Sequence, residues 1–461
     1  MKNNIISKIL QSTYSWIQYK KNNLPLNSFY NKIKQSKNCF EKALKKNNPS
    51  FILECKKASP LNGVFKKNFN ISKIIKIYNK YADVISIITE EKFFHGNFNY
   101  LLEAHNKTKK PLLCKDFFID PYQIYYARYN KANAILLMLS ILDDTQYIKL
   151  SNIAKSMNLG ILTEIHTFNE LKRALLLNAS VIGINNRDLK NLSININNTR
   201  ILAPLIPKNK IIICESGIDS YKSIRSLRST VNGFLVGTHL MRSKNLEFST
   251  RKLIYGDNKI CGLTKNKDAH IADKSGCIYG GLIFVPESPR YINDQMCEKI
   301  IMNNLLRYIG VFCNEEDKNI LIKVNKFNLY GVQLHGGENQ EFIRRLKILL
   351  PKHVHIWKSI SMNKNTIINN IVYINRYLLD NKKGGTGKTF DWNLIKKVNT
   401  SNMMLSGGLN LKNCFLASTL GFRGLDFNSG LEISPGIKDP KKIISAFKIL
   451  RYFPKNKNLS N

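Results

Sequence analysis

The segment Phe51-Ile-Leu-Glu54-Cys-Lys56-Lys-Ala-Ser59-Pro-Leu-Asn-Gly63 ends an apolar run on a carboxylate, sets an ammonium two positions on, and continues in turn residues. Side chains alternate along a strand, so Glu54 and Lys56 point the same way and can meet one ligand together. A carboxylate and an ammonium at the C-terminal end of a strand suit acid/base chemistry on a barrel rim. Later apolar runs also end on polar groups. Lys115 follows Pro-Leu-Leu-Cys114, Glu164 closes Ile-Leu-Thr-Glu, and Asn185 and Arg187 share the two-residue spacing in Ile-Gly-Ile-Asn-Asn-Arg. Glu215-Ser216-Gly217 and Gly237-Thr238 end two more. Any one of these is by itself an ordinary solvated charge or turn; their recurrence at successive strand ends points to one site. Gly217 and Gly237 would let backbone N–H groups approach a phosphate closely, at the position where such barrels bind one.

A second strand-ending group, Lys259-Ile-Cys261-Gly262-Leu-Thr264, opens a similar series some two hundred residues later. The duplication suggests two active sites, one per half. A free cysteine is most often a packed core residue. Cys261 is the exception expected here, because it ends a strand against Gly262 and faces Asp380 across the second set of strands. A thiolate can act as a base if neighbouring donors lower its pKa from about 8.5.

Positioning these groups requires strands, and the strands are legible. In the first half they are expected at Phe51–Cys55, Val84–Thr89, Pro111–Cys114, Ala134–Leu139, Gly160–Glu164, Val181–Asn185, Ile211–Glu215 and Gly233–Val236. In the second half they are expected at Lys259–Cys261, Gly281–Phe284, Tyr308–Phe312, Gly331–Leu334, His355–Ser359, Tyr373–Asp380, Met403–Ser406 and Gly424–Phe427. Continuous apolar runs signify strands buried on both faces, hence parallel sheets wrapped by helices such as Thr167–Leu177. The fold class expected is α/β, two consecutive (β/α)8 barrels, with domains 1–255 and 256–461. At 461 residues the chain is too long for one domain and fits two units of about 200–250. The first 21 residues are basic and amphipathic but lack arginine and a small-residue cleavage pattern, so a covering helix is expected rather than a transit peptide.

The bulk numbers narrow the function classes. No uncharged apolar stretch approaches the roughly 18–20 residues of a membrane span. Nine scattered cysteines form neither a disulfide framework nor a paired metal motif and fit a reducing cytoplasm. His353 and His355 resemble a metal pair on a strand, yet nothing nearby in sequence supplies further ligands, so no metal is expected. His335 is expected beside the second site as loop structure. The formal net charge of +39 raises an alternative, a basic nucleic-acid-binding protein on a barrel scaffold. The lysines are spread beside Asn and Ile without a concentrated arm, which reads as compositional drift toward A/T-rich codons. A positive field would still draw in anionic substrates.

FILECKKASPLNG, PLLCKDF, TEIH, IGINNRDL, CESGI and FLVGTHLM, in order over residues 1 to about 255, resemble indole-3-glycerol-phosphate synthase. The resemblance implies Lys115 as main general acid with Glu164 as its carboxylate partner, Glu54 sharing in proton transfer, and Lys56 holding the substrate carboxylate. It makes Asn185, Arg187 and Ser216 substrate-orienting, puts Ser59 and Glu215 among the substrate-binding residues, and sets Gly217, Gly237 and Thr238 around the phosphate. A lysine near other cations would have a depressed pKa, suited to proton donation near neutrality. Leu61 departs from the family, which usually has a small polar residue there.

KICGLT, GLIFVPESPRYI, GVQLHGGE, LLDNKKGGTGKTFDW, LSGGLN and GLDFNSGLEISPGIKD, over about 256–455, resemble phosphoribosylanthranilate isomerase. That resemblance implies Cys261 as general base, Asp380 as general acid and Arg290 at the anthranilate carboxylate. Gly384, Gly385, Gly407, Gly408, Ser429 and Gly430 would shape the phosphate site. Asn428 stands where the family often has serine. Two consecutive steps of tryptophan biosynthesis are implied, without cofactor or metal, on small substrates bearing phosphate and carboxylate. A cytoplasmic monomer with no nucleic-acid or membrane partner is expected.

Overall fold

Runs of Ile, Val and Leu with few charges form the strands, since branched side chains pack well on a pleated surface buried on both sides. The computed structural model describes residues 5–37, 40–46, 49–189, 191–364, 366, 371–381, 388–395 and 398–452. In the first half the strands are β1 Ser50–Cys55, β2 Val84–Ile88, β3 Leu112–Lys115, β4 Ala134–Met138, β5 Gly160–Ile165, β6 Val181–Asn185, β7 Ile211–Glu215 and β8 Gly233–Val236. They pair in chain order and β8 closes on β1, all in parallel, with Phe51 in register with Phe234. In the second half they are β9 Lys259–Ile260, β10 Tyr279–Ile283, β11 Arg307–Phe312, β12 Gly331–Leu334, β13 His355–Met362, β14 Arg376–Asn381, β15 Met403–Leu405 and β16 Gly424–Phe427. Here β16 closes on β9, with Lys259 in register with Asp426. The chain is thus two consecutive (β/α)8 TIM barrels. The chain divides into two compact units whose main boundary lies between Thr250 and Arg251, with Ser220–Arg225 grouped with the second.

Helix starts are fixed by side chains that satisfy the free backbone N–H groups of the first turn. Thr167 caps the helix Phe168–Leu176 by accepting from the Glu170 N–H, and Asp120 and Asp143 form capping boxes with Gln123 and Gln146. The N-terminal helix Ile5–Asn23 buries Ile9, Thr13 and Ile17, one face at a spacing of four. Its Trp16 stacks on Phe98 with ring centroids 5.2 Å apart, and Lys21 pairs with Asp120 at 2.8 Å.

Two strand limits differ from the sequence reading by three residues, the others by two at most. The strand expected from Tyr373 begins at Arg376, because Tyr373 takes a left-handed φ of 73° that no strand accommodates. The strand from His355 runs on to Met362. His355 itself stacks on the Tyr330 ring at 4.6 Å, and among the described residues no three His, Cys, Asp or Glu side chains gather as a metal site would need. Among those residues no helix is long and apolar enough to cross a membrane.

Candidate active sites

In the first barrel the C-terminal strand ends converge on a cavity of about 660 Å³. All twelve residues singled out in this half line it: Glu54, Lys56, Ser59, Lys115, Glu164, Asn185, Arg187, Glu215, Ser216, Gly217, Gly237 and Thr238. At its centre the Lys115 ammonium, from β3, lies 3.1 Å from Glu164 Oε2 on β5 and 2.9 Å from Glu215 Oε2 on β7. Lys56, just past the end of β1, meets Glu54 Oε1 through Nζ at 2.8 Å, the two-residue step having turned both inward. Ser216 and Gly217 both take positive φ, 63° and 81°, which turns the chain sharply off β7.

Lys115 is not surrounded by cations as expected. Burial opposes its charge, but the carboxylates of Glu215, Glu164 and Glu54 outweigh burial and hold the ammonium above its ordinary value. The group brought near neutrality is Glu215, which burial pushes up to about 7 against the pull of Lys115. Burial would also raise Glu164, but Lys115, His166 and the Asn185 amide together bring it below the usual carboxylate range.

Several residues at this site were not singled out from sequence. Phe94 after β2 and Phe117, two positions beyond Lys115, form aromatic walls, and Ile5, Ile6 and Ile9 of the N-terminal helix close one side. The two-residue step from Lys115 to Phe117 was the available signal, the same step that singled out Glu54 and Lys56. Gly183, inside β6, matters for what it lacks: a Cβ there would collide with Glu215 Oε1, as one on Gly237 would with Glu54 Oε1. Gly183→Ala is expected to displace Glu215, to cost about 1–3 kcal/mol of stability as overpacking, and to slow the reaction of this barrel while sparing the other. Thermal melts and separate assays of each half check it; an unperturbed first barrel would mean Glu215 has room to move.

The second barrel gathers a different set. Cys261, just past β9, is buried with its N–H donating to Phe427 O at 2.8 Å, and it packs with Ile283 and Val311. Lys259, fully buried two residues earlier, pairs with Asp426 at 2.9 Å. The thiol is not brought down as expected. Burial pushes it up, and Lys259 offsets only part of that while Asp426 adds to it. Asp380, on β14, accepts from the Asn381 N–H at 2.7 Å and from Ser406 Oγ at 3.2 Å. Gly407, at φ 84°, has no side chain to press on Asp380, where a Cβ would sit 2.7 Å from Oδ1.

Arg290 spends Nε and Nη2 on Glu432, at 2.9 and 2.7 Å, a fork-to-fork pair. Lys438, also buried, bridges Glu432 at 2.7 Å and Asn428 at 2.9 Å, so the Asn428 side chain holds a lysine. Gly408 also takes positive φ, 62°, and its carbonyl accepts from Asn410 and Asn413. The turn Ser429–Leu431 packs Gly430 against the Leu409 carbonyl, which brings Ser429 and Gly430 beside the Gly407–Gly408 loop. Gly384 and Gly385 lie outside the described residues. His335 donates its backbone N–H to Phe312 O at 2.9 Å, and the amide oxygen of neighbouring Gln333 is buried without a hydrogen-bond partner. Lys259, Asp426, Glu432 and Lys438 were not singled out; charged residues inside apolar runs such as Gly-Leu-Asp426-Phe were the signal.

Comparison with known proteins matches both halves. The family model of indole-3-glycerol phosphate synthase covers residues 6–253, and that of N-(5'phosphoribosyl)anthranilate (PRA) isomerase covers residues 258–449. The tryptophan biosynthesis protein TrpCF of Buchnera aphidicola subsp. Diuraphis noxia is 53% identical over 98% of this chain and 100% of its own length. The Salmonella typhi protein of the same name is 44% identical over 97% of this chain and 99% of its own. A crystal structure of phosphoribosyl anthranilate isomerase from Thermus thermophilus is 26% identical, with TM-score 0.39, over 42% of this chain and 97% of that one. Neither family supports the nucleic-acid-binding alternative. The chain belongs to the indole-3-glycerol phosphate synthase family in its first half and to the N-(5'phosphoribosyl)anthranilate isomerase family in its second, and is a bifunctional enzyme of tryptophan biosynthesis.

Proposed function

We propose that residues 256–461 act first, turning phosphoribosylanthranilate into carboxyphenylamino-deoxyribulose phosphate, and that residues 1–255 close the indole ring of that product with loss of carbon dioxide and water. The observation that carries the first-barrel roles is the Lys115 ammonium held between Glu164 and Glu215 inside the cavity. As the aromatic carbon attacks the ketone, charge develops on the ketone oxygen. A firmly held ammonium protonates that developing alkoxide rather than the neutral ketone, so its proton is delivered where the transition state needs it. Glu164 steadies Lys115. Glu54 shares in the proton transfers of dehydration, and Glu215, near pH 7, can exchange a proton with little cost. Lys56 would trade part of its contact with Glu54 for the substrate carboxylate. Ser59, Asn185, Arg187 and Ser216 orient the substrate, and Gly217, Gly237 and Thr238 receive its phosphate.

In the second barrel Asp380 protonates the ribose ring oxygen, opening it to an iminium, and Cys261 removes the C2 proton. With Nε and Nη2 of Arg290 on Glu432, its Nη1 side is the one offered to the anthranilate carboxylate. Gly384, Gly385, Gly407, Gly408, Ser429 and Gly430 shape the phosphate site. Asp380→Asn keeps the size and the Ser406 contact but removes the acid. Its isomerase kcat is expected to fall about 10²–10⁴-fold with KM little changed; an unchanged kcat would move the acid elsewhere. Neither step calls for a cofactor. The chain is read as a cytoplasmic monomer whose charge of +39 serves small anionic substrates rather than nucleic acid.

A further inference from the structure

Behind the first active site, one imidazole joins two carboxylates. His166 follows β5 and does not line the cavity. Its Nε2 lies 3.4 Å from Glu164 Oε1, the oxygen turned away from Lys115, and its Nδ1 lies 3.3 Å from Glu170 Oε2. Glu170 is held in turn, because the same oxygen accepts the His166 backbone N–H at 2.7 Å and its own N–H is capped by Thr167. Asn198 fixes the His166 carbonyl at 3.0 Å. The ring therefore has one orientation, with Nδ1 hydrogen-bonded to Glu170 and Nε2 facing Glu164 Oε1 at ion-pair distance without a hydrogen bond of its own.

We propose that His166 is a positioning residue of the ring-closure reaction: clamped by Glu170, its imidazolium holds the Glu164 carboxylate in place and keeps it negatively charged beside Lys115. This rests on Glu164 working with Lys115 as read above. The need for such a group follows from the charges that face the site. Glu54, Glu164 and Glu215 are three buried carboxylates, while Lys115 and Lys56 supply two ammoniums, with Lys56 engaged on Glu54. Arg187 is at the rim, near Glu54 and Arg242. The Asn185 amide reaches Glu164 but carries no charge. A proton entering this cluster could settle on Glu164 as well as on Glu215, and only ionised Glu164 can steady the Lys115 ammonium. A cation on the far side of Glu164 sends the proton to Glu215. Burial disfavours a charged His166, but its bond to Glu170 and the charges of Glu164, Glu170 and Glu215 outweigh burial and keep the ring protonated more readily than usual.

His166→Gln and His166→Leu separate geometry from charge. Glutamine keeps a polar amide beside Glu164 but is neutral; leucine is neither polar nor charged. The readout is ring-closure kcat against pH from 5 to 9, on carboxyphenylamino-deoxyribulose phosphate, with isomerase turnover of the same preparation counting intact chains. Losing the cation makes Glu164 easier to protonate, so the acid limb of kcat should move up by about one pH unit or more in both variants. At pH 8.5 His166→Gln should stay within about 3-fold of wild type and His166→Leu fall about 10–100-fold. Glu170→Gln, which leaves His166 in place without its counter-charge, should shift the limb the same way and serves if the leucine variant does not fold. An unshifted acid limb in His166→Gln and Glu170→Gln, or a loss of rate equal at every pH, overturns the proposal. Glu164→Gln tells the two readings apart. If that variant closes the ring at the wild-type rate, the role of Glu164 fails; if it is inactive while the His166 profiles match wild type, only the role of His166 fails.

Discussion

Lys115→Ala is expected to abolish formation of indole-glycerol phosphate, lowering kcat by about 10³-fold or more, while phosphoribosylanthranilate is still consumed and the ring-opened intermediate accumulates. The size follows from position. Lys115 is the ammonium lying between Glu164 and Glu215, so its loss removes both the proton for the developing alkoxide and the charge that offsets two buried carboxylates. Leaving buried charges without their partner costs about 3–5 kcal/mol in general, but here protonation gives partial relief, since Glu215 already sits near 7. In the variant the folded-state carboxyls lie above their unfolded values, so the folded state binds more protons and loses stability as pH rises from about 4.5. The gap in Tm between wild type and Lys115→Ala should therefore be wider at pH 8 than at pH 5.5. A gap independent of pH would mean the carboxylates had found other partners.

Cys261→Ala is expected to produce the opposite block: phosphoribosylanthranilate persists, its isomerisation slowed about 10³-fold or more, while added intermediate is still closed to the indole product. Among the described residues the two neighbouring ammoniums cannot stand in, because Lys259 is spent on Asp426 and Lys438 on Glu432. The wild-type enzyme should also show a particular pH dependence. Burial holds the thiol above its ordinary value, with Lys259 offsetting only part of this, so little thiolate exists at pH 7 in the free protein. A base works deprotonated, and kcat/KM for isomerisation should climb with pH through 8 and beyond. A profile already flat at pH 7 would mean either that the thiolate is stabilised by groups outside the described residues or that Cys261 is not the base. The Cys261→Ala assay distinguishes these.

What was legible in the sequence was whatever a short stretch decides by itself. The strands Val181–Asn185, Ile211–Glu215 and Gly233–Val236 fall where they were expected, because uninterrupted apolar runs bounded by turn residues have one good solution in a parallel sheet. Polar strand ends were legible for the same reason: alternation aims residues two apart into one space. The electrostatics were not, since they are made by residues distant in the chain. Glu164 and Glu215 lie 49 and 100 positions from Lys115, and it is their convergence that raises the lysine instead of lowering it. Arg290 meets Glu432 across 142 positions, so no local pattern announces that most of its fork is occupied. Gly183 was unreadable because its contribution is the space that Glu215 fills. Tyr373 misled because an aromatic, β-branched stretch reads as strand whatever backbone angle the preceding turn imposes.

The central claim is that one chain carries two chemically separate sites, used in order, and a mixing experiment tests it most directly. Phosphoribosylanthranilate is supplied to Lys115→Ala alone, to Cys261→Ala alone, and to an equimolar mixture of the two, and indole-glycerol phosphate is measured. Neither variant should form it alone, the first stopping at the intermediate and the second at the substrate. The mixture should form it, as intermediate released by Lys115→Ala chains is taken up by Cys261→Ala chains. Product from either variant alone, or a mixture that stays blocked although each variant keeps its remaining single-step activity, would contradict the account.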